Sequence, residues 1–505
     1  MQDGIARNER EFGHVENQYP MNHSATDPPT LYNSTHLRED ALAIWQAGVD
    51  GVAPNRLIRE NVLLNSNVLD IAGVSYPLSD IRRIVVVGGG KASGRMAEEL
   101  ESVLSPLLDG KGPEVVGWIN VPNDCAVPLQ KIRLHSSRPM GVNEPTEAAA
   151  FGTHRIVEFL KSLGPNDLCI NLLSGGGSAL MPAPPPKIPL AEKLELTRFL
   201  SGAGADIHEL NTVRKQISLL KGGKMKELCR GCRLVSLILS DVLGDPLDVI
   251  ASGPTVDNPG SAADALAVLQ KFATAPATVA QKTAIQNVVL FLQRKCSHPL
   301  PEEERKKFPD EFGTIFDDVG GFVRNIIIGN NALAVDYATI EAERRGYSAV
   351  SSSATQSEGL AEDIGVRMID QAIQMRSDRP KCLISGGEPV VRLAPTEIRG
   401  KGGRNQQLVL ATLIHLLNDE QFRGGLVMIS GGTDGEDGPT NAAGALFDDE
   451  LFERLRNQIR DNPAFDPQRF LETNDAYSFF EALNGLVMTG PTGTNVCDLR
   501  VVVGV

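Results

Sequence analysis

Short apolar runs that end in glycine recur four times along this chain, and they predict its architecture. The runs lie at 84–87, 169–173, 382–385 and 426–430, and consecutive glycines follow each of them. A strand that is buried on both faces of a parallel sheet needs such a continuous apolar run. Glycine at its carboxyl end lets backbone N–H groups approach an anion without a Cβ in the way. Because open α/β sheets bind ligands at this edge, the pattern predicts a polyanion site where these turns converge.

Segments with helical periodicity separate the apolar runs, in two series. The first series begins near Ile81, and the second restarts at Asn325 after a charged, proline-containing stretch at 294–318. Strict alternation of strand and helix predicts parallel sheets with right-handed crossovers. We therefore expect an α/β fold of two Rossmann-like lobes with mostly parallel sheets that face each other across an active-site cleft. The expected domains are a disordered tail over 1–36, an N-terminal α/β domain over 37–318 and a C-terminal α/β domain over 319–505.

Composition narrows the class of protein. The chain has 505 residues, 42% of them apolar and 22% charged, which is typical of a globular protein with its own core. A net charge of −14 argues against a nucleic-acid partner, since that binding needs a basic surface. The sequence shows no apolar stretch of membrane-spanning length, and its first residues resemble neither a signal nor a transit peptide. We expect a cytoplasmic protein with no membrane partner.

The first glycine turn resembles two phosphate-binding loops and satisfies neither. The turn is Gly88-Gly89-Gly90-Lys91. A dinucleotide-binding fold needs a glycine at the position of Ser93 and an acid at the position of Asn120. A Walker loop needs Ser or Thr directly after the lysine, where this chain has Ala92. A lysine at a helix start opposes the helix dipole by about 0.3–1 kcal/mol. The unfavourable position of Lys91 is explained if its side chain faces a phosphate. The alternative is a solvated surface lysine.

Two further segments are candidates for anion recognition. The turn Ser174-Gly175-Gly176-Gly177-Ser178 follows a buried run and places hydroxyls on both sides, which favours an anion nest over a merely flexible turn. The segment 211–224 concentrates four cations beside Gly-Gly, and on a helix Arg214 and Lys221 would lie on nearly the same face. Recognition of a carboxylate or phosphate explains this cluster, and a solvated basic face is the alternative.

Acidic residues and one arginine complete the candidate chemistry. Asp241 follows a strand, where it can hold Mg²⁺, accept a hydroxyl proton or serve as a cap. Arg404 begins a predicted helix, where an arginine can stabilise charge on a transferring phosphoryl group. Asp434, Glu436 and Asp437 lie in a glycine-rich loop and bind Mg²⁺ or a substrate hydroxyl, or else form Asx-turns.

Taken together and in order, these segments resemble the class II glycerate kinases, a glycerate 2-kinase family with a C-terminal MOFRL-type domain. The resemblance extends from about residue 38 to the C-terminus and excludes the N-terminal tail. Its motifs lie at 88–92, 174–179, 211–215, 221–224, 240–245, 252–257, 385–388, 400–406, 432–438 and 492–495.

The resemblance implies ATP-dependent phosphorylation of D-glycerate to 2-phosphoglycerate with Mg²⁺, and it leaves a homodimer open. Lys91 and Arg404 would be catalytic, and we interpret Asp241 as the base; Asp241 and Asp434 are the expected metal ligands. The residues expected to bind the nucleotide lie in or beside glycine turns: Gly88, Gly89, Gly90, Ser174, Gly175, Gly176, Gly177, Ser178, Gly386, Gly387 and Glu388. The residues expected to bind substrate are Asn211, Arg214, Lys215, Lys221, Asn405, Asp434, Asp437, Thr494 and Asn495.

Two alternative functions remain open at the level of sequence. An NAD(P)H-dependent hydroxypyruvate reductase would act on the same three-carbon acid, but Ser93 and Asn120 depart from the dinucleotide fingerprint that it needs. A non-catalytic nucleotide sensor would use the glycine turns without turnover.

Overall fold

Strands and helices alternate along most of the chain, as the apolar runs predict. The computed structural model describes residues 34–504 apart from 111, 140–141, 143, 230, 298–322 and 377–379. Its strands are β1 (Val62–Leu64), β2 (Val68–Ile71), β3 (Val74–Pro77), β4 (Arg83–Gly89), β5 (Glu114–Pro122), β6 (Ile132–Arg138), β7 (Asp167–Leu173), β8 (Arg233–Leu239), β9 (Val323–Gly329), β10 (Ser348–Ser353), β11 (Lys381–Gly387), β12 (Leu426–Gly432), β13 (Gly444–Phe447), β14 (Leu486–Val487) and β15 (Asp498–Gly504).

The α-helices separate these strands. They are α1 (Ser34–Gly51), α2 (Pro54–Asn61), α3 (Ser93–Val103), α4 (Glu147–Lys161), α5 (Gly177–Leu180), α6 (Leu190–Gly202), α7 (Ile207–Gln216), α8 (Lys224–Leu228), α9 (Ala262–Lys271), α10 (Val279–Ser297), α11 (Asn331–Arg344), α12 (Ala361–Met375), α13 (Arg404–Leu417), α14 (Asp449–Asp461), α15 (Pro467–Glu472) and α16 (Ala476–Leu483). The predicted tail over 1–36 lies outside the described residues as far as residue 33, and its last three positions belong to α1.

The first sheet confirms the expectation of a parallel α/β lobe. Within the described residues its six strands pair in the order β6–β5–β4–β7–β8–β9, and each pairing is parallel. The central strand β4 is apolar on both faces, because Ile84 and Val86 join one helix-covered cluster while Val85 and Val87 join the other. Burial of each of these side chains away from water contributes about 1.5–3 kcal/mol to the stability of the fold. An antiparallel meander, β1–β2–β3, is attached to this lobe.

The second sheet is mixed, so the prediction of mostly parallel sheets was wrong for this lobe. Its described strands pair in the order β10–β11–β15–β12–β13–β14. β10 and β11 are parallel, but the C-terminal strand β15 runs antiparallel between β11 and β12, and β13 and β14 are antiparallel as well. A strand buried on both faces has the same apolar pattern in either direction, so periodicity could not reveal this.

The two lobes interleave along the chain. The strand at 323–329, where the sequence analysis restarts the second series, is the edge strand of the first sheet and pairs in parallel with β8. Helix α1, expected in the N-terminal domain, packs on the second lobe, where the indole of Trp45 donates to the carbonyl of Leu499 at 3.0 Å. The predicted boundary at 318 lies outside the described residues. We propose that the described residues within 54–329 form the first lobe, and that those within 34–51 and 331–504 form the second.

The basic segment lies in a helical layer of the first lobe. It spans the end of α7, the turn that follows and the start of α8. A capping box between Asp206 and Glu209 starts α7, and left-handed Gly222 (φ +61°) and Gly223 (φ +82°) separate α7 from α8. Helices α6, α7, α9 and α10 share one apolar cluster.

The ends of the sheets that carry the glycine turns meet between the lobes. Lys91 after β4 contacts Asp434 after β12, and the thiol of Cys497 before β15 donates to the carbonyl of Asp241 after β8 at 3.0 Å. The site predicted from the turns therefore has contributions from both lobes. Within the residues described, no helix has the length and apolar character that a membrane span requires.

Candidate active site

Lys91 is held at the end of β4 by tight packing of two turns. A Cβ at Gly88 would overlap with the backbone of β7, and a Cβ at Gly90 would overlap with the hydroxyl of Ser174. The backbone N–H of Lys91 donates to the carbonyl of Gly175 at 2.8 Å. The close approach of the chain accounts for these glycines, and the turn after β7 fixes the position of Lys91.

The turn over 174–178 makes room for two charged side chains. A Cβ at Gly175 would overlap with the carboxylate of Asp241. Gly176 is left-handed (φ +79°), and a Cβ there would lie 3.1 Å from Nη2 of Arg138. Only glycine accepts both constraints without strain. The sequence predicts that the glycines themselves bind phosphate; the structure shows that they let a carboxylate and a guanidinium approach.

Asp241 is a partly buried carboxylate with the properties of a base. Burial raises the pKa of Asp241 to about 6, repulsion from Glu388 and Asp434 adds to the rise, and Lys91 opposes it. A carboxylate with a pKa in this range is ionised at neutral pH and accepts a proton more readily than an ordinary one. The geometry is therefore compatible with the proton-accepting role expected from the sequence.

Arg404 begins α13 and is held between two acids. Its Nε and Nη2 donate to the two carboxylate oxygens of Asp498 at 2.6 and 3.1 Å, and its Nη1 donates to Glu388 at 2.8 Å. Burial acts to lower the pKa of Arg404, but Asp498 and Glu388 outweigh it and the pKa is raised. The bidentate pair with Asp498 fixes the plane of the guanidinium. A guanidinium held in one plane is well suited to recognise carboxylates and phosphates.

Asp437 caps the helix that carries Arg404. Its carboxylate accepts from the backbone N–H groups of Asn405 and Gln406 at 3.1 and 2.8 Å. The side-chain amide of Asn405 is buried. It donates hydrogen bonds to Asp437 and Asp498 and accepts one from the hydroxyl of Ser430. Asn405, predicted to bind substrate, therefore supports Asp498 and Asp437 and does not line the cavity described next.

Lys91 and Arg404 line one cavity of about 670 Å³, which we call the first cavity. Asp241 belongs to the same wall as Lys91, whereas Glu388 and Asp434 come from the second lobe. A second cavity of about 600 Å³ adjoins it and shares Lys91 and Asp434. Lys91 and Arg404 therefore face a common region.

Lys91 spans the cleft between the lobes. Its Nζ lies 3.4 Å from Asp434 Oδ2 and 3.9 Å from Glu436 Oε2, and its side chain is 37% exposed. An exposed, loosely held ammonium group keeps donors available for an incoming anion. Of the two interpretations given above, the structure favours a site lysine over a solvated one.

The basic segment lies behind the glycine turn and outside both cavities. Lys221 Nζ donates to the carbonyl of Ser178 at 2.7 Å, and the guanidinium of Arg214 donates to the Ser178 hydroxyl. Lys215 pairs with Asp248 at 3.3 Å, and Asn211 accepts from Ser252 at 3.1 Å. The structure does not bring these residues to the site of Lys91 and Arg404, since Asn211, Arg214, Lys215 and Lys221 line neither cavity, and their binding of substrate stays a prediction. Spacing reveals a cluster of cations but not the direction of each side chain.

The glycines after β11 are explained by packing as well. A Cβ at Gly386 would overlap with the side chain of Asn331, and one at Gly387 would overlap with Glu358. Neither glycine lines the first or the second cavity, whereas the neighbouring Glu388 lines the first; their contact with nucleotide stays a prediction.

The loop before β15 contributes to both cavities. Asn495 lines the first cavity, as does Asp437, and Thr494 lines the second; their binding of substrate stays a prediction. Cys497 adopts a left-handed conformation (φ +70°), which is uncommon for a residue other than glycine. This bend leads directly into Asp498, the partner of Arg404.

Sequence reasoning missed two residues of the site. Asp498 is the first residue of an apolar strand, and only the pairing with Arg404 shows its importance. Arg138 at the end of β6 lines the second cavity and is 4% exposed. The position of Arg138 at a strand terminus was the one signal available, and no glycine turn marked it.

The carboxylates of the first cavity are the groups that could hold Mg²⁺. Among the described residues, no group of three or more His, Cys, Asp or Glu side chains is arranged to hold a metal ion. Asp434 nevertheless lies close enough to Asp241 to raise its pKa. Mg²⁺ is commonly bound by one or two carboxylates together with substrate phosphates. These residues therefore fit a metal ion that arrives with a nucleotide.

Comparisons with known proteins identify the class to which this fold and site belong. The model of a domain of unknown function (DUF4147) matches residues 40–285, and the model of the MOFRL family matches residues 381–498. The chain is 33% identical to a glycerate kinase of Danio rerio, with 92% of this chain and 97% of the relative covered. It is 31% identical to a D-glycerate 2-kinase of Thermotoga maritima, with 93% and 99% covered.

A solved structure agrees with these matches. The crystal structure of a glycerate kinase from Thermotoga maritima superposes with a TM-score of 0.70 at 30% identity, with 93% of this chain and all of that chain covered. The fold and site define a two-lobed α/β enzyme with charged residues between its lobes. The chain belongs to the glycerate kinase family.

Proposed function

We propose that this protein is an ATP-dependent kinase that phosphorylates D-glycerate to 2-phosphoglycerate. The observation that carries the proposal is the meeting of Lys91, Asp241 and Arg404 on the walls of one cavity between the lobes. Membership of a family whose relatives are named glycerate kinase and D-glycerate 2-kinase supports the choice of substrate and position. A cation pair with an adjacent base provides what phosphoryl transfer requires: positioning and neutralisation of charge.

Each of the three residues has a distinct role in the reaction. The C2 oxygen of glycerate attacks the γ-phosphorus, the bond from that phosphorus to the bridging oxygen breaks, and ADP leaves with the electron pair. Asp241 accepts the hydroxyl proton, Lys91 contacts the transferring phosphoryl group, and Arg404 contacts that group or the carboxylate of glycerate. Asp498 positions Arg404 through its bidentate pair.

Mg²⁺ would enter with the nucleotide and be held by Asp434 and Asp241. When bound, it supplies neutralisation of phosphate charge. A carboxylate that coordinates a metal ion is a weaker proton acceptor. We therefore assign Asp241 mainly as the base and Asp434 as the main metal ligand. A cytoplasmic location and a homodimer stay predictions from the sequence.

The alternative functions have less support. Asn120, which occupies the place of the acid in a dinucleotide fold, is buried and donates to the carbonyls of Ala149 and Leu180 at 3.1 and 2.8 Å. The hydroxyl of Ser93 donates to the carbonyl of Leu172 on β7 at 3.1 Å. A nucleotide sensor needs no proton acceptor, so the raised pKa of Asp241 in the cavity that Lys91 and Arg404 also line favours a catalytic site.

A coupled assay tests the proposed function. The purified chain is incubated with ATP, Mg²⁺ and D-glycerate while ADP release is followed, and in parallel with NADH and hydroxypyruvate. We expect ADP release that depends on D-glycerate and no oxidation of NADH. Oxidation of NADH without glycerate-dependent ADP release would replace the kinase by the reductase.

A further inference from the structure

Arg138 is a buried guanidinium that has no partner within the part of the chain that the structure describes. It lies at the end of β6, it is 4% exposed, and no described residue forms a hydrogen bond or ion pair with it. Asp124 acts on it through its charge but makes no ion pair. A buried charge without a partner is destabilising, and an anion that pairs with Arg138 would offset this cost.

The surroundings of Arg138 form a cavity next to the proposed site of transfer. The second cavity, of about 600 Å³, is lined by Arg138 and by Lys91, which also lines the first cavity. Four prolines contribute apolar surface to its walls: Pro122, Pro139, Pro439 and Pro491. Asp124, Asp434 and Glu436 line it as well, so an anionic group is favoured only where Lys91 and Arg138 face the cavity. A cavity of this size, with apolar walls and a few charged groups that fix orientation, suits an organic ligand that carries an anionic end.

The positions of the other charged groups divide the two cavities between the two substrates. Asp241 and Arg404 line the first cavity and not the second, so the hydroxyl that gives up its proton must lie in the first. Lys91 lines both cavities, which puts the transferring phosphoryl group at their junction. The rest of the nucleotide then extends to the far side of Lys91, where Arg138 is.

We propose that the second cavity binds the nucleotide and that Arg138 contacts its α- or β-phosphate. This inference rests on the proposed kinase function and adds a nucleotide subsite and a residue to it. A guanidinium suits this task because two parallel N–H groups match two phosphate oxygens. Left-handed Gly176 is required beside Arg138, since a Cβ there would lie 3.1 Å from Nη2.

Direct binding measurements test the inference without the need for turnover. Isothermal titration calorimetry is carried out with ADP, tripolyphosphate and adenosine on the wild type, Arg138→Met and Arg138→Lys. We expect Arg138→Met to weaken ADP and tripolyphosphate on the order of 10²-fold, because a charge-assisted bidentate contact is lost. Arg138→Lys should recover part of the affinity, and adenosine should bind all three equally weakly.

Arg133→Met is the matched control. Arg133 lies on the same strand five residues earlier and is exposed, so this variant removes the same charge without reaching the cavity. It should bind ADP as the wild type does. Arg138→Met should unfold at the same or a higher temperature than the wild type in the absence of ligand, because an unpaired buried charge has been removed. If it does not fold, Arg138→Lys and Arg138→Gln decide the question.

The outcomes separate the subsite from the overall function. An ADP affinity of Arg138→Met within twofold of the wild type, or no ADP binding by the wild type, overturns the inference. A rise in the KM for D-glycerate with an unchanged KM for ATP would assign Arg138 to the acceptor carboxylate and also overturn it. Binding of ADP that depends on Arg138, without turnover of glycerate, would contradict the proposed function and leave the nucleotide subsite standing.

Discussion

The ammonium group of Lys91 lies 3.4 Å from the carboxylate of Asp434, so a side chain that follows the carboxyl end of β4 reaches a loop of the second lobe. This ion pair is partly exposed, and such pairs contribute only about 0–1 kcal/mol to stability. The position of Lys91 is therefore better explained by chemistry between the lobes than by stabilisation of their contact.

Replacement of Lys91 separates these two explanations. Lys91→Ala should lower kcat on the order of 10²–10³-fold, since one pre-organised cation at a site of developing charge is lost. Its melting temperature should stay close to that of the wild type. Lys282→Ala, at an exposed position on α10, is the control and should change neither quantity. A Lys91→Ala enzyme with near-normal turnover would show that Lys91 is misassigned.

Asp498 should matter through Arg404. Asp498→Asn removes the charge that fixes the guanidinium, so kcat/KM should fall by tenfold or more and the free energy of unfolding by about 1–3 kcal/mol. Steady-state kinetics and urea unfolding measure the two effects. The exposed acid Asp461, replaced in the same way, should have no effect on either. If Asp498→Asn is as active as the wild type, the bidentate pair does not position Arg404 for the reaction.

The pKa of Asp241 predicts how activity depends on pH. The carboxylate must be ionised to accept a proton, and its pKa is raised to about 6, so kcat/KM should rise through pH 6 and level off above it. In Asp241→Asn this limb should be absent and the residual rate should be independent of pH in this range. A wild-type profile that is flat between pH 5 and pH 8 would contradict the assignment of Asp241 as the base.

The same shift predicts the effect of Asp241 on stability. The folded protein holds a proton on this carboxyl up to about pH 6, whereas the unfolded chain releases it near the ordinary pKa of 3.8. Stability is therefore lost as the pH rises between these values, by up to about 3 kcal/mol. Asp241→Asn should unfold at a higher temperature than the wild type at pH 7.5 and at a similar temperature near pH 4. An equal gain at both pH values would indicate a cause other than ionisation.

The turn after β7 allows a steric test. A Cβ on Gly175 would overlap with the carboxylate of Asp241, so Gly175→Ala must displace the base or the turn that holds Lys91. We expect activity to fall on the order of 10²-fold. Gly202→Ala at the end of α6 meets open space and should leave activity unchanged, with stability the same or up to about 1 kcal/mol higher. Equal activity of both variants would contradict this account of the turn.

The apolar runs predicted the strands well because their signal is local. The runs at 84–87 and 426–430 became β4 and β12, and Lys91 and Arg404 were found from their unfavourable positions at helix starts. The pairing of strands, in contrast, depends on contacts between residues that are far apart in the sequence. β9 therefore joined the sheet of the preceding lobe, and β15 entered the second sheet against its neighbours, which no pattern along the chain indicates.

The glycines show the same limit within the site. Those at 386 and 387 suggested phosphate contact, but the structure fills the space above them with Asn331 and Glu358. A glycine signals that something approaches closely, and the sequence does not say whether that is a ligand or a side chain. Arg138 was missed for the opposite reason: its lack of partners is a property of the folded protein alone.

The identity of the phosphorylated product tests the central claim most directly. ³¹P NMR of wild-type protein with ATP, Mg²⁺ and D-glycerate should show signals of ADP and 2-phosphoglycerate growing together, and Lys91→Ala should abolish both. The absence of any new phosphate ester with the wild type would contradict the account, because the cavity shared by Lys91, Asp241 and Arg404 would then have another purpose.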